Sequence, residues 1–473
     1  MRVYPLAIDP ATPATVYAAG EYGGVFRLEW DCALHFSQFG NGLGFTSDVV
    51  LINPSPSNTV SGAIGAADDL GFFLAVGLNG GPDFSILPLG AQTLSTDGLG
   101  GLLAGSAAVG ADGVLGGVVR FSIPGIGVAG VGASEPTTGF VIPVRRTAAI
   151  NTGVAFSNPE LHTIALALTL RNLQGQEVSG GRRTIQDFPT RAHLAQFIHE
   201  LFPEAFPEAQ TGAFEGTLVV VATGGKIAAT ALELGREPGQ FTTLPVIPLA
   251  TGSAATDFAF AQFGNGQGFT SDSLLVNPSA DRSVSGTVKF YDEQGQAMPV
   301  GLGGPGGQTS QAFSIPPMGM VRISTDGSGA VTVGSATVSA DGPVGGVVRF
   351  QIPGVGIAGV GSSASLTRCL IPVRRTSAGI RTGIALQNRE EGPVTIRLTL
   401  RNTSGAAVAT GTIDSLPARG HVAKFVEELF PDVTGQFQGT LSVEVTGGTV
   451  AATAIELGSK PGEFTTLPVT PVQ

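Results

Sequence analysis

The chain has 473 residues, with 25 lysines and arginines against 36 aspartates and glutamates, which gives a formal net charge of -11 at pH 7. This length indicates about three or four domains, and the acidic balance excludes nucleic acid as an expected partner. A hydrophobic fraction of 42% excludes a disordered polar chain, and 70 glycines with 31 prolines fit many short strands joined by turns.

The two cysteines, Cys32 and Cys369, lie far apart in unlike contexts and exclude a disulfide framework. The same scarcity argues against a structural zinc site, and we expect no cofactor. No apolar run is long enough to predict a membrane span. The first residues lack the basic region and apolar core of a signal peptide.

Residues 1–32 carry a motif of their own, PLAIDPATPATVYAAGEYGGVFRLEW at residues 5–30. This run resembles one repeat of the sortilin-like, Asp-box-type β-propellers over about one hairpin, although the Asp-box itself is absent. One blade fragment cannot close a propeller. The resemblance implies a partial propeller-like hairpin at 1–32, and we expect the chain to be an N-terminally truncated fragment of a longer protein.

The rest of the chain repeats itself with a long period. The matching runs are QFGNGLGFTSD at 38–48 with QFGNGQGFTSD at 262–272, VVRFSIPGIGVAGVG at 118–132 with VVRFQIPGVGIAGVG at 347–361, IPVRRT at 142–147 and 371–376, and FTTLPV at 241–246 and 464–469. A fixed internal period indicates a modular array. We divide it into units A1 (33–136), B1 (137–250), A2 (251–366, with a short linker) and B2 (367–473).

A fainter likeness links the A units to the B units. Each unit has a strand ending in Asn, then a Gly turn, then a Pro; these landmarks are Asn53, Asn158, Asn277 and Asn388, Gly71, Gly175, Gly295 and Gly405, and Pro88, Pro189, Pro317 and Pro417. About seven strands per unit, with turns every 8–12 residues, predict an all-β fold of four tandem immunoglobulin-like antiparallel sandwiches. A jelly roll is the alternative.

The B units contain an insertion, RAHLAQFIHELFP at 191–203 and RGHVAKFVEELFP at 419–431. Apolar residues recur there at i, i+3, i+4 and i+7, namely Leu194, Phe197, Ile198 and Leu201, and Val422, Phe425, Val426 and Leu429. This spacing predicts a short amphipathic helix in each B unit, ended by Pro.

The sandwich units also resemble a family. The Asn-ended strand, the Gly turn, ELFP and FTTLPV are together similar to tandem repeats in large secreted proteins of environmental bacteria, and the likeness covers most of residues 33–473. The A units depart from it by lacking ELFP and FTTLPV. The resemblance implies an exported surface protein and little chemistry, so we expect an extracellular or cell-surface location.

Three motifs carry weak signals for chemistry. GIGVAG at 125–130 and GVGIAG at 354–359 match a dinucleotide-binding pattern, but no helix follows, so a Gly-rich last strand is favoured. Four Asp-Gly pairs, at Asp97, Asp112, Asp326 and Asp341, indicate turns more than calcium sites, which leaves calcium open. His193 and His421 recur at matching positions and are interpreted as exposed or capping residues.

Paired charges suggest contacts between units. A matched late strand carries Arg120 and Arg349 in the A units where the B units carry Glu233 and Glu456. We predict that A docks on B by pairing Arg120 with Glu233 and Arg349 with Glu456. Two further arginine pairs, Arg145 with Arg146 and Arg374 with Arg375, are either contacts with a neighbouring domain or anionic glycan, or solvated strand edges that discourage edge-to-edge pairing.

No catalytic constellation stands out, so the first hypothesis is a non-catalytic extracellular or cell-surface array. It acts as a structural stalk or adhesion segment for neighbouring domains or surface and protein partners, with homo-assembly as a sub-case. The alternative is a glycan-binding module array of a larger secreted enzyme, against which stand a single Trp and four Tyr. A hydrolase has the least support.

Overall fold

The structure is a computed structural model that describes residues 34–207, 212–249, 255–304 and 306–472, together with the backbone of the strands before residue 34. At the N-terminus, β1 (Val3–Ile8), β2 (Thr15–Gly20) and β3 (Val25–Glu29) form an antiparallel three-stranded sheet. This sheet lies in the predicted propeller-like hairpin, and its assignment to a propeller stays a prediction.

Unit A1 consists of two antiparallel sheets. Its strands are β4 (Cys32–Asn41), β5 (Thr46–Ile52), β6 (Val60–Ala67), β7 (Leu78–Asn79), β8 (Asp83–Ile86), β9 (Ala91–Thr96), β10 (Leu103–Ala111), β11 (Gly116–Ile123) and β12 (Gly127–Gly132). One sheet has the order β4-β10-β6-β8 and the other β12-β11-β5-β9-β7. The Gly-rich motif at 125–130 therefore lies in a turn and in the last strand.

Unit B1 uses the same strand order. Its elements are β13 (Gly139–Arg146), β14 (Ile150–Ser157), β15 (Ile164–Asn172), β16 (Glu177–Phe188), β17 (His193–Phe197), α1 (Ile198–Leu201), β18 (Phe214–Thr223), β19 (Ala228–Gly235), β20 (Phe241–Leu244) and β21 (Ile247–Pro248). The order is β16-β15-β18-β13 on one side and β17-β14-β19-β20 on the other. A single pair, Arg146 with Asn151, joins the two sides at a corner.

The second repeat follows the first. A2 has β22 (Asp257–Asn265), β23 (Thr270–Val276), β24 (Val284–Tyr291), β25 (Ser310–Ile315), β26 (Met320–Ser324), β27 (Thr332–Ala340), β28 (Gly345–Ile352) and β29 (Gly356–Gly361). B2 has β30 (Arg368–Arg375), β31 (Arg381–Asn388), β32 (Val394–Asn402), β33 (Ala407–Leu416), β34 (His421–Phe425), α2 (Val426–Leu429), β35 (Phe437–Thr446), β36 (Val450–Leu457), β37 (Phe464–Leu467) and β38 (Thr470–Pro471).

One pairing pattern therefore occurs four times. If the short β7, β21 and β38 are set aside, the first, sixth, third and fourth strands of each unit form one sheet, and the fifth, second, seventh and eighth form the other. The predicted all-β antiparallel fold is confirmed, and each set of eight strands lies within one of the four predicted segments apart from the first residue of β4.

The predicted helices are shorter than expected. The apolar spacing predicts a helix from Leu194 and Val422 onwards. Instead, His193–Phe197 is strand β17, which pairs with β14, and His421–Phe425 is β34, which pairs with β31. Only Ile198–Leu201 and Val426–Leu429 are helical. The edges of β14 and β31 offer backbone donors and acceptors, and satisfying them outweighs the local helical spacing.

The four Asn landmarks tie a loop to a strand end. Nδ2 of Asn388 donates to the carbonyl oxygens of Gly392 and Leu416, and its Oδ1 accepts the amide of Glu390. The other three Asn side chains make equivalent bonds, and all four are buried. Asn recurs because one amide group satisfies several buried backbone groups.

The units close into a ring. The first strand of each unit packs against the second strand of the next: β4 on β14, β13 on β23, β22 on β31, and β30 back on β5. Unit B2 therefore contacts A1, and the order of contacts is A1, B1, A2, B2 and A1 again. We call each contact between consecutive units a joint.

The eighth strands line the centre of this ring. Strand β12 contacts both β20 and β37, and β29 contacts the same two strands. The turns before them exchange a closed cycle of backbone hydrogen bonds: Gly239 N to Ile126 O, Ile357 N to Gly239 O, Gly462 N to Val355 O and Val128 N to Gly462 O, at 2.7–2.9 Å. Every unit takes part in this cycle.

The hydrophobic cores are continuous across the joints. The core of B1 includes Leu274 of A2, that of B2 includes Val118 of A1, that of A1 includes Phe241 of B1, and that of A2 includes Phe464 of B2. Burial of such side chains stabilises each joint by about 1.5–3 kcal/mol per large residue. Neighbouring units are therefore packed directly against each other through apolar side chains.

Candidate inter-unit contact site

The Gly and Pro landmarks meet at the joints. A Cβ added to Gly71, Gly175, Gly295 or Gly405 would lie 1.9–2.1 Å from a carbonyl oxygen of the next unit, that of Thr190, Pro317, Ala418 or Pro88 respectively. All four glycines have positive φ. Glycine recurs at this turn because both its backbone conformation and the close approach exclude a side chain.

Two buried clusters of charges lie at the joints between repeats. In the Glu233 cluster, Arg349 Nη1 of A2 lies 2.6 Å from Glu233 Oε1 of B1, and Arg145 Nη2 lies 2.8 Å from Glu233 Oε2. Asp272 and Glu215 also flank Arg349, at 3.1 and 3.9 Å. Both Arg349 and Glu233 are buried.

The Glu456 cluster repeats this geometry at the closing joint. Arg120 Nη1 of A1 lies 2.6 Å from Glu456 Oε1 of B2, and Arg374 Nη2 lies 2.7 Å from Glu456 Oε2. Asp48 is 3.9 Å from Arg120. Each buried carboxylate therefore bridges one arginine of its own unit and one of the neighbouring unit. These ion pairs compensate the loss of hydration that burial imposes on the charged groups.

The predicted pairing is wrong in its partners. Arg120 pairs with Glu456 and not Glu233, and Arg349 pairs with Glu233 and not Glu456. The physical reason is that β19, the strand of B1 that carries Glu233, packs against β4 in one sheet of A1, whereas Arg120 lies on β11 in the other sheet. That second sheet faces B2.

The two clusters differ in their electrostatics. Burial lowers the pKa of Arg120, and Glu456 and Asp48 offset this only in part because Arg374 is close. Burial also opposes the charge of Arg349, but Glu233, Asp272 and Glu215 together outweigh it and raise the pKa. Both arginines stay protonated at neutral pH.

The second arginine of each pair does something different. Arg146 lies over the ring of Phe206, 5.2 Å from its centroid. Arg375 donates to the carbonyl oxygens of Gly435 and Val433, and these hydrogen bonds fix the loop after α2. These two residues therefore contact their own unit, while Arg145 and Arg374 reach the joints.

His193 and His421 are buried at the joints within each repeat, contrary to the expectation of exposed or capping residues. His193 Nδ1 lies 2.7 Å from Asp69 Oδ1, and His421 Nε2 lies 3.2 Å from Gln262 Oε1. Burial lowers the pKa of His193 despite Asp69, and lowers that of His421 to about 4. Both rings are therefore neutral at pH 7.

The Asp-Gly pairs have local roles. Asp97 Oδ1 accepts the amide of Leu99 and the side chain of Asn41, and these hydrogen bonds lower its pKa. Asp326 is held in the same way by Ser328. Across the described parts of the chain, no group of three or more His, Cys, Asp or Glu side chains is placed to hold a metal ion.

Burial raises the pKa of the Cys369 thiol to about 12.

A cleft of about 200 Å³ lies at the joint between A2 and B2. Its walls include the rings of Phe269, Phe350 and Phe464, and Lys424 and Glu428 supply charges. Nothing in the sequence singled it out, because its walls come from two units whose contact is not evident from local patterns.

Comparisons with known proteins give little. No family model matches the chain, and no curated protein matches it. Among solved structures, the alpha-L-rhamnosidase of Streptomyces avermitilis complexed with L-rhamnose is similar at 9% identity, with a TM-score of 0.11. The comparison covers 100% of this chain and 57% of that one, so the chain spans little more than half its length. At this TM-score the likeness carries no argument.

Within the described residues, no helix is long and apolar enough to cross a membrane.

Proposed function

We propose that the chain is a non-catalytic structural and adhesion module of an extracellular or cell-surface protein. The observation that carries the proposal is how the chain uses its reactive side chains. Glu233, Glu456, His193 and His421 are all buried in joints between units, where each has a partner in the neighbouring unit. Groups suited to acid–base chemistry thus hold the assembly together.

In this proposal the four units are immunoglobulin-like sandwiches. Support comes from the pairing of the second strand with the fifth in one sheet and of the third with the sixth in the other, as in immunoglobulin domains. The first, fourth and seventh strands depart from that pattern, since the first lies beside the sixth, the fourth beside the third and the seventh beside the second.

Of the two forms of the hypothesis, we favour adhesion over a stalk. A stalk requires the first and last units to lie far apart, whereas β12 of A1 contacts β37 of B2. A closed ring presents loops from four units on one compact body, which suits multivalent contact more than reach.

The proposal is tested by displaying the chain on a non-adherent bacterium. We expect increased attachment to at least one surface among matrix proteins, other cells and abiotic supports, and retention of that attachment when His193 and His421 are both changed to Gln. The purified chain should show no turnover of ester, glycoside or peptide substrates. Turnover that disappears in the double variant would overturn the proposal.

The glycan-binding alternative has one observation in its favour, the cleft between A2 and B2. Aromatic walls with charged groups at hand are typical of small-ligand sites. A glycan array decides this: binding that is lost in Phe350→Ala would support the alternative, and an array without any binder would exclude it.

A further inference from the structure

One end of unit A1 exposes seven large apolar side chains. They lie in the turn after β4, in the loop between β6 and β7, and around the loop between β9 and β10. We call them the A1 tip: Leu43, Leu70, Phe72, Phe73, Leu99, Leu102 and Leu103, which are between 38% and 80% exposed.

Backbone contacts bring the segments that carry these side chains together at one end of the unit. Leu43 N donates to Gly100 O, which joins the turn after β4 to the loop before β10. Phe73 bridges to Ala67, and Ala67 pairs with Ser106 of β10, close to Leu103. With neighbouring strands about 4.8 Å apart, the surface spans about 15 Å.

Unit A2 provides an internal control for this surface. The same backbone contacts recur there, since Gln267 N donates to Gly329 O and Asp292 N to Gln296 O, as Asp68 N does to Phe72 O. The seven matching residues of A2 are Gln267, Gln294, Gln296, Ala297, Ser328, Val331 and Thr332. Val331 is the single large apolar residue among them, so the fold of an A unit does not need an apolar tip.

The B units confirm this at the Gly turn. The positions on either side of the glycine are Gln174 and Gln176 in B1, and Ser404 and Ala406 in B2, all exposed. Exposed leucine and phenylalanine therefore flank this glycine in A1 alone. A group of exposed leucines and phenylalanines that the other units lack at the compared positions is typical of a contact site.

Charge indicates what the site contacts. Residues 33–136 contain seven acidic residues and one basic residue, Arg120, and Arg120 is buried. Asp69 and Asp97 are exposed beside the tip. A second copy of the chain would bring these carboxylates against one another, and an anionic lipid surface would be repelled.

We propose that the A1 tip is the docking surface for a protein segment that carries large apolar side chains flanked by lysine or arginine. The apolar side chains cover the leucines and phenylalanines of the tip, and the cations face Asp69 and Asp97. This inference does not rest on the proposed adhesion function, because it concerns one surface and its internal comparison.

The test uses two synthetic peptides with the same Leu- and Phe-rich core, one flanked by lysines and the other by glutamates, measured by fluorescence anisotropy on the full chain. We expect the lysine peptide to bind at least tenfold more tightly than the glutamate peptide, with weakening by salt. The variant Leu43→Gln, Leu70→Gln, Phe72→Gln and Leu99→Ser, which takes the A2 residues, should lose at least tenfold.

A matched gain-of-function variant keeps the test sharp. Gln267→Leu, Gln294→Leu, Gln296→Phe and Ser328→Leu rebuild the tip on A2 and should add a second peptide site. Equal binding of the two peptides, or unchanged binding in the A1 variant, would overturn the proposal. So would a dimer, or binding to phosphatidylserine vesicles, that the A1 variant abolishes.

Discussion

At the scale of residues, the chain places its charges where they join units. Arg120 and Arg349 are the basic residues of the seventh strand, and each meets a Glu of the equivalent strand in a neighbouring unit. The sequence indicated the residues but not their partners. Which sheets face each other depends on how the units pack, and no local sequence pattern predicts that packing.

The corrected pairing predicts specific couplings. In double-mutant cycles with Arg→Met and Glu→Gln, Arg349 with Glu233 and Arg120 with Glu456 should each couple by at least about 1 kcal/mol of unfolding free energy. Breaking either pair alone should cost about 3–5 kcal/mol, since a buried charge is left unpaired. The cross pairs, Arg120 with Glu233 and Arg349 with Glu456, should be additive within about 0.5 kcal/mol. Coupling in the cross pairs would contradict this arrangement.

His421 should make stability depend on pH. Its pKa falls from 6.5 to about 4 on folding because of burial, so the unfolded chain binds more protons between these values. Stability is then lost as the pH falls from about 6.5 to about 4, by up to about 3 kcal/mol. Urea unfolding from pH 7.5 to 4 should show a smaller loss in His421→Gln than in the unchanged chain.

The control is His162→Gln, since His162 is exposed and its Nε2 lies 2.7 Å from Gly224 O at the surface. It makes the same chemical change outside the joint. If His421→Gln alters the pH dependence no more than His162→Gln does, the ring of His421 is not held neutral in the joint.

At the scale of elements, much could be predicted. The period-2 strands, the Asn, Gly and Pro landmarks and the units they divide all follow from the sequence, and the strand order repeats accordingly. The strand at Leu194 could not be predicted, because its apolar residues have helical spacing and pairing with the edge of β14 decides its structure. The sequence also could not explain why position 405 requires glycine, since the close neighbour Pro88 lies in another unit.

The Gly turn at the closing joint gives an element-scale prediction. Gly405→Ala places a Cβ 1.9 Å from Pro88 O, whereas Gly329 has the same φ of 78° and open space around it. Gly329→Ala should cost about 1–2 kcal/mol from backbone strain alone. Gly405→Ala should cost a further 1–3 kcal/mol, roughly, from overpacking, and should speed hydrogen exchange at Ala91, which donates to Thr403 O.

The comparison with Gly329 separates the joint from the backbone. Equal losses of stability in the two variants, with no change of exchange at Ala91, would show that the turn of B2 does not press on A1.

At the scale of the whole molecule, four units of one strand order pack each on the next until the last meets the first. The shared cores, the cycle of backbone hydrogen bonds at the centre and the two charge clusters all join consecutive units around the ring. The repeat in sequence indicated an array, but an array of equal joints becomes a rod or a ring according to the angle between units, which the sequence does not express.

Small-angle X-ray scattering of the monomeric full chain tests the closed ring most directly. A compact chain of this length has a radius of gyration of about 23 Å, and we expect a value close to it with a single-peaked distance distribution. Four units end to end, each about 33 Å long by its longest strands, would give about 40 Å. A radius near 40 Å, with a distance distribution that extends beyond about 120 Å, would contradict contact between A1 and B2.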